Sequence, residues 1–202
     1  AWYTASLDMG IHLKTKHLLS MTDLSTEETL SLLSRASALK HGSQATGMTG
    51  KTLAILFEKP SLRTRVGLEV AMFQMGGYAT TLGQAEIGLG VRETIEDVAR
   101  VLSRWIDGIA CRTTSHSDLE ELATKSSVPV INALTDVEHP TQGLADLLTI
   151  QEIHGDIANV CITFIGDGDN VAASLALGAT AIGAEVRICS PEGYDLPSQI
   201  IS

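Results

Sequence analysis

Short continuous apolar runs alternate along the chain with segments in which apolar residues recur every three or four positions. Thr52–Phe57 and Gly108–Arg112 are mainly apolar runs of strand length, and such runs are typical of parallel strands buried on both faces. Residues 25–39 instead space their leucines for one helix face, and Ser25 and Glu28 match a capping box. This alternation predicts an α/β fold with mainly parallel sheets.

The predicted elements are bounded by glycine, proline or capping residues. Strands are predicted at residues 52–57, 78–82, 108–112, 128–132, 159–165 and 185–189, and helices at 25–39, 62–75, 93–105, 117–125, 140–154 and 171–182. Ser117 is the predicted N-cap of the fourth helix. The glycine-rich residues 85–92 are predicted to form a mobile loop.

The helix that Pro140 opens is the expected connection between two α/β units. We therefore expect two doubly wound parallel-sheet domains, one at residues 1–150 and one at residues 151–202. The second holds two predicted strands and one helix, which cannot bury both faces of a parallel sheet. This imbalance leads us to expect that the natural protein continues beyond Ser202.

Composition narrows the possible functions. The 202 residues carry a formal net charge of −10, which argues against nucleic acid as a partner. No apolar run approaches the roughly 20 residues that span a bilayer, and residues 1–17 lack the apolar stretch of a signal peptide. The three cysteines show no metal-type spacing and lie in strand-like runs, so we expect buried thiols in a reducing cytoplasm.

Residues 57–65, with the sequence FEKPSLRTR, follow a predicted strand and open a predicted helix. Free N–H groups and the helix dipole favour an anion at such a junction. Ser61 and Thr64 add hydroxyl groups, and Arg63 and Arg65 add guanidinium groups that match phosphate geometry. A capped helix with solvated basic residues is the alternative, but two arginines in a first turn oppose the dipole. The segment therefore predicts a phosphate site.

This segment resembles the Ser-x-Arg-Thr-Arg signature of the aspartate/ornithine carbamoyltransferase family, and its Phe-x-Lys-Pro lead-in is closer to the ornithine members. Arg112 at a strand end and the His-Pro-Thr-Gln sequence that begins at His139 then match two further family motifs in order. The resemblance implies carbamoyl-phosphate contacts from Ser61, Leu62, Arg63, Thr64, Arg112, His139, Pro140, Thr141 and Gln142. Among these, it implies catalytic roles for Arg63, Arg112, His139 and Gln142.

The resemblance also implies an acceptor amine. Residues 166–174 follow a strand and open a helix, which by itself is compatible with a simple tight turn. They resemble the Gly-Asp-Gly-x-Asn segment of the ornithine members, and Asn170 is the matching position for an amino-acid contact. The implied substrates are carbamoyl phosphate and ornithine, in a trimer or a multiple of trimers, with no cofactor and no metal.

One position departs from the family pattern. The family commonly carries a Gln that reaches carbamoyl phosphate in a neighbouring subunit, and Gly88 stands at the matching position here. Gln84 lies four residues earlier. Because glycine has no side-chain donor, we expect a weaker or differently tuned site.

Three other functions stay open at this point. Sister transferases would use putrescine, an acylated ornithine or aspartate as the acceptor. The Gly166–Asn170 turn would suit a dinucleotide-binding oxidoreductase, but the third glycine of that fingerprint is missing. Gly88 would suit a non-catalytic, ligand-sensing relative. Asp167 and Asp169 suggest a metal site, but the loop offers no convincing ligand set.

Overall fold

The structure is a computed structural model that describes residues 13–43 and 47–201. Its strands are β1 Thr52–Phe57, β2 Tyr78–Gly83, β3 Gly108–Arg112, β4 Val130–Leu134, β5 Cys161–Ile165 and β6 Glu185–Cys189. Its helices are α1 Thr26–Lys40, α2 Leu62–Gln74, α3 Gln84–Ile87, α4 Ile95–Leu102, α5 His116–Lys125, α6 Pro140–His154, α7 Asn170–Ala181 and α8 Ser198–Ile201. Short 3-10 turns occur at Met21–Asp23 and Ile157–Asn159.

The first four strands form one parallel sheet in the order β2-β1-β3-β4. Ala54 and Leu56 of β1 pack on one side with the apolar residues of α4 and α5. Leu53 and Ile55 pack on the other side with Met72 of α2. Both faces of β1 are therefore buried, as the continuous apolar run predicts. The arrangement confirms the predicted α/β class with parallel sheets.

The strands β5 and β6 form a second, two-stranded parallel sheet. One face of this sheet packs on α7, while the other is exposed, and Ile165 on that face is 81% exposed. Cys161 and Cys189 are also exposed, so the prediction that all three thiols are buried is wrong for these two. Side chains of a sheet alternate between faces, and both cysteines share the exposed one.

The helix α6 connects the two sheets. It begins with Pro140 and ends before Gly155, as predicted. Leu147 on α6 packs in a cluster with Leu33 of α1 and with Leu175 and Ile182 beside the second sheet. None of the helices in the described part of the chain has the length and apolar character that crossing a bilayer requires.

Several predicted boundaries differ from the structure. The N-cap of α5 is Ser115, whose hydroxyl accepts from the Asp118 N–H, and not Ser117. The strand β4 runs two residues later than predicted because the chain pairs with β3 only after Pro129. Residues 84–87 form the helix α3 in the segment that was predicted to be a loop. Leu18, before the first helix, forms an isolated parallel bridge with Ile131 of β4. Residues 1–12 lie outside the described residues.

Candidate functional site

The carboxyl ends of β1, β3 and β4 meet at one edge of the first sheet and open into a cavity of about 760 Å³. Seven residues from the sequence-predicted set line it: Ser61, Arg63, Thr64, Arg112, His139, Thr141 and Gln142. They come from the beginning of α2, the end of β3 and the beginning of α6. Parallel strands bring these separate motifs together because their carboxyl ends share one edge.

The two helices that begin at this cavity have no side-chain cap. Ser61 precedes α2, but its hydroxyl donates to Thr64 Oγ1 at 3.0 Å instead of accepting from the helix backbone. His139 precedes α6 and likewise forms no side-chain cap bond. By contrast, side chains cap the other long helices, namely α1, α4, α5 and α7. The uncapped N–H groups of α2 and α6 and the positive ends of their dipoles therefore favour an anion in the cavity.

Two guanidinium groups add positive charge. Burial and the nearby Arg63 both lower the pKa of Arg112. The Nε of Arg112 is buried and has no hydrogen-bond partner in the described structure. Among the described residues, neither arginine forms an ion pair with a carboxylate. An anion would relieve this repulsion and satisfy the unpaired N–H.

Two residues of the same motif face elsewhere. Arg65 pairs with Glu69, with Nε 3.0 Å from Oε1, and lines a separate cavity beside β2. The expectation that Arg63 and Arg65 act together is therefore not met. Two residues that are two positions apart on a helix point about 200° away from each other, so the two side chains lie on opposite faces. The Leu62 side chain is 78% exposed and also faces away, so Leu62 could reach the first cavity only through its backbone. Pro140 is buried at the first position of α6.

His139 is buried at the inner end of the cavity. Burial first, and then the charge of Arg112, lowers the pKa of His139 to about 4, against a smaller opposing effect of Asp169. The imidazole is therefore neutral at pH 7. The Thr141 hydroxyl lies 3.2 Å from its Nδ1. A neutral imidazole next to Arg112 can donate one hydrogen bond into the cavity without adding a second buried charge.

The Gln142 side chain is oriented by a residue that the motif comparison did not identify. Its Nε2 donates to Asp146 Oδ1 at 2.8 Å, one helical turn later. This bond uses one of the two N–H donors of the amide and leaves its carbonyl oxygen available as an acceptor. The spacing of four residues in a predicted helix was the sequence signal for this pair.

Asn170 lies in a second cavity of about 330 Å³, also lined by Lys59, Thr113, Thr135 and Asp136. Its Nδ2 donates to the carbonyl oxygen of Thr135. Arg112 and Leu134 line both cavities, so Asn170 is separate from the anion site but adjacent to it.

The carboxylate of Asp169 accepts from the first N–H groups of α7. Among the described residues, no group of three or more His, Cys, Asp or Glu side chains is arranged to hold a metal.

The backbone is strained where the two cavities meet. Leu134 has a φ of 151°, and the register between β3 and β4 shifts at Arg112. Positive φ is costly for a residue with a branched side chain. Such strain is often found where a fold orients functional groups, and no residue pattern around Leu134 predicts it.

A carboxylate fixes the loop before α2 against the loop after β3. Glu58 accepts from the Thr113 hydroxyl at 2.8 Å and from the Thr114 N–H at 2.6 Å. The Thr114 N–H and then the two threonine hydroxyls lower the pKa of Glu58, against the effect of burial. This brace holds the beginning of α2 next to Arg112.

The backbone conformation at position 88 favours glycine over residues that carry a Cβ. Its φ is 61°, and a Cβ there would lie 2.6 Å from the Arg92 Cβ. Gln84 does not take the place of the family Gln within this chain, because its Nε2 is directed to the Leu89 carbonyl at 3.4 Å.

Comparisons with known proteins agree with this geometry. A model of the aspartate/ornithine carbamoyltransferase carbamoyl-phosphate-binding domain matches residues 16–152. An ornithine carbamoyltransferase of Bacillus subtilis is 49% identical over 181 residues, or 90% of this chain and 57% of the relative. One of Haloquadratum walsbyi is 45% identical over 188 residues, or 93% of this chain and 63% of the relative. The chain thus spans less than two thirds of the length of these relatives.

A solved structure shares the fold as well. The ornithine carbamoyltransferase of Pyrococcus furiosus superimposes with a TM-score of 0.88 at 44% identity, covering 92% of this chain and 61% of that one. The family match extends over more than half of the chain, and its three motifs meet in one cavity. This chain belongs to the aspartate/ornithine carbamoyltransferase family.

Proposed function

We propose that the protein transfers the carbamoyl group of carbamoyl phosphate to the side-chain amine of ornithine, giving citrulline and phosphate. The observation that carries the proposal is the cavity of about 760 Å³ at which two uncapped helix N-termini and two guanidinium groups without an ion-pair partner converge. The names of the relatives support ornithine as the acceptor. The product would place the protein in arginine metabolism.

The phosphate would lie at the beginning of α2. There the N–H groups of Leu62 and its neighbours, the hydroxyls of Ser61 and Thr64 and the guanidinium of Arg63 converge. Breaking the bond between the carbamoyl carbon and the bridging oxygen leaves the electron pair and an extra negative charge on the phosphate. Preorganised donors stabilise that charge as it develops.

The carbamoyl group would lie against α6. Arg112 and neutral His139 would donate to its carbonyl oxygen, where negative charge develops as the amine attacks the carbon. The free carbonyl oxygen of Gln142 would accept from the carbamoyl NH2. Pro140 and Thr141 would complete the site, Pro140 by fixing the beginning of α6 and Thr141 through its hydroxyl.

The amine would approach from the second cavity, past Arg112. Asn170 in that cavity would hold the amino acid. A lysine-like amine has a pKa of about 10.4, so its uncharged form is rare at neutral pH and the site must select or generate it. The attacking nitrogen uses its lone pair for the new C–N bond and then gives up a proton, which the departing phosphate accepts to leave as hydrogen phosphate.

We also propose that residues 1–150 form the carbamoyl-phosphate-binding domain and that residues 151–202 begin the amino-acid-binding domain. The extent of the family match, residues 16–152, supports the first boundary. The free thiols of the described structure support a reducing compartment, and we infer a cytoplasmic location.

The activity test uses the protein in its full natural length. Citrulline formation is measured with carbamoyl phosphate and ornithine, and with putrescine, an acylated ornithine and aspartate as competing acceptors. Arg63→Ala should lower the affinity for carbamoyl phosphate by roughly one to two decades, which corresponds to the free energy of one charged hydrogen bond. Arg65→Ala is the matched control, because Glu69 already holds Arg65 outside the cavity. Equal losses in both variants, or no product with any amine, would refute the proposal.

We further propose that the protein assembles as a trimer or a multiple of trimers. The helix α2 carries an exposed apolar stripe next to the cavity, formed by Leu62, Val66, Val70 and Phe73. Self-association would cover this stripe, because contiguous exposed apolar surface commonly marks an interface. Light scattering should show a trimer that Phe73→Asp dissociates, and a monomeric wild-type protein would contradict this assignment.

A further inference from the structure

The turn that leads into His139 is held by buried polar groups. Glu138 is 3% exposed and Ser174 of α7 is fully buried. Burying a carboxylate and a hydroxyl is costly unless both are hydrogen-bonded. Their partners therefore indicate what these two residues hold in place.

Ser174 connects directly to the backbone of His139. Its Oγ accepts from the His139 N–H at 2.9 Å and lies 2.9 Å from Glu138 Oε2, to which it donates. The same Oε2 accepts from the Met21 N–H at 3.0 Å. One carboxylate oxygen thus joins three segments: the turn at Met21, the helix α7, and the loop that precedes α6.

The backbone of α6 leaves Ser174 little freedom. A Cβ at Gly143 would lie 3.1 Å from both the Cβ and the carbonyl oxygen of Ser174. The two helices therefore approach each other closely at this pair, and an added methyl group would fit only if Ser174 shifted by a few tenths of an ångström. Because the crossing fixes Ser174, it also fixes the acceptor that the His139 N–H uses.

We propose that Ser174 and Glu138 are positioning residues that hold the His139 backbone, and hence its imidazole, in the geometry for carbamoyl transfer. This inference rests on the proposed function. Ser174 lies one helical turn after Asn170 on α7. A displacement of the beginning of α7, where Asn170 lines the second cavity, would therefore also move Ser174, the hydrogen-bond partner of the His139 N–H. The helix α7 thus links the second cavity to the first.

The test compares variants in the protein of full natural length. Ser174→Ala removes the acceptor, and Ser174→Cys keeps its size with a weaker hydrogen bond. Thr180→Ala is the matched control, because it removes a hydroxyl from the same helix that bonds only to helix carbonyls. We expect kcat to fall about tenfold in Ser174→Ala, less than the roughly 100-fold that a 1 Å misplacement can cost. Affinity for inorganic phosphate should stay unchanged, since α2 supplies that contact.

A second readout is independent of turnover. A loosened turn admits water to His139, so NMR titration should show its pKa rising from about 4 towards 6.5 in Ser174→Ala. Glu138→Gln should give a smaller rise than Glu138→Leu, because it keeps an oxygen acceptor for Met21 and Ser174. Thr180→Ala should leave the pKa unchanged.

The outcomes separate the two proposals. A wild-type protein that does not bind carbamoyl phosphate refutes the proposed function, while the His139 titration still tests the positioning. An unchanged His139 pKa and kcat in folded Ser174→Ala overturn the inference. So does a parallel loss of phosphate affinity and kcat, which would indicate general damage. If Ser174→Ala does not fold, Ser174→Cys is judged by the same criteria.

Discussion

Replacing Arg112 with methionine should stabilise the empty protein while weakening its stabilisation by carbamoyl phosphate. Arg112 has a buried Nε without a partner and faces the guanidinium of Arg63. Methionine keeps most of the aliphatic stem but carries neither the charge nor the unpaired donor. The site therefore carries an instability that its ligand should remove.

The magnitude follows from the unpaired donor. A buried hydrogen-bond group without a partner costs about 1–3 kcal/mol. Some packing of the Arg112 stem is lost in the variant, so we expect a net gain of about 1 kcal/mol in the unfolding free energy. For a domain of this size that corresponds to a rise of about 2–4 °C in Tm. Carbamoyl phosphate at 100 times the wild-type Kd should add about 2.7 kcal/mol to the wild type and only about 0.4–1.4 kcal/mol to the variant, whose affinity should fall by roughly one to two decades.

Calorimetry with and without freshly prepared carbamoyl phosphate measures both effects. The two proteins should exchange rank: the variant is the more stable one when empty, and the wild type when ligand is bound. Arg100→Met is the matched control, because Arg100 forms an exposed pair with Glu96 and should change stability by less than about 0.5 kcal/mol. An empty Arg112→Met variant that is less stable than wild type would refute the reasoning, and so would one that the ligand stabilises as much as it stabilises the wild type.

Three further predictions concern single positions. The pKa of His139 is about 4 in the folded protein and about 6.5 in the unfolded chain, so the unfolded state binds more protons between pH 4 and pH 6.5. The folding stability should therefore fall as the pH is lowered from 6.5 towards 4. Wild type should then lose about 1 kcal/mol per pH unit relative to His139→Gln in urea titrations between pH 6.5 and 5, and parallel curves would contradict this. Gly88→Gln should lower unfolding free energy by about 1–2 kcal/mol, and Gly88→Asn by less, because φ is 61°; equal stability to wild type would count against strain. Leu134→Gly should be about 1 kcal/mol more stable than Leu134→Ala, the reverse of an ordinary strand, because φ is 151°; the ordinary order in chemical denaturation would exclude that strain.

The elements that sequence predicted well are those whose signals are local. The helix α6 runs from Pro140 to His154 as predicted, since proline begins it and Gly155 ends it. The capping box of Ser25 and Glu28 is also present. The strand β4 was misplaced by two residues because pairing with β3 decides where a strand begins, and that partner is distant in sequence. Local propensity cannot supply such information.

The site shows the same division. The motifs identified seven of the residues that line the first cavity, because each motif sits at a strand end or a helix beginning. They assigned the carbamoyl-phosphate contact to Arg63 and not to Arg65, whereas the residue types alone did not separate the two, although helical periodicity allows that separation to be expected. Nor did they identify Ser174, whose contact with His139 depends on how α6 and α7 cross. A crossing angle follows from packing along both helices and has no short signature.

A net charge of −10 repels anions at long range, and the structure explains why it does not prevent an anion site. The carboxylates nearest the cavity accept hydrogen bonds from donors other than its arginines. Glu58 accepts from Thr113 and Thr114, Asp146 from Gln142, and Asp169 from the first turn of α7. Arg63 and Arg112 are left for a ligand, because local pairing within a few ångströms outweighs distant charge screened by solvent. Net charge therefore excludes a long basic surface of the kind that nucleic acids require, but it does not exclude a single enclosed phosphate.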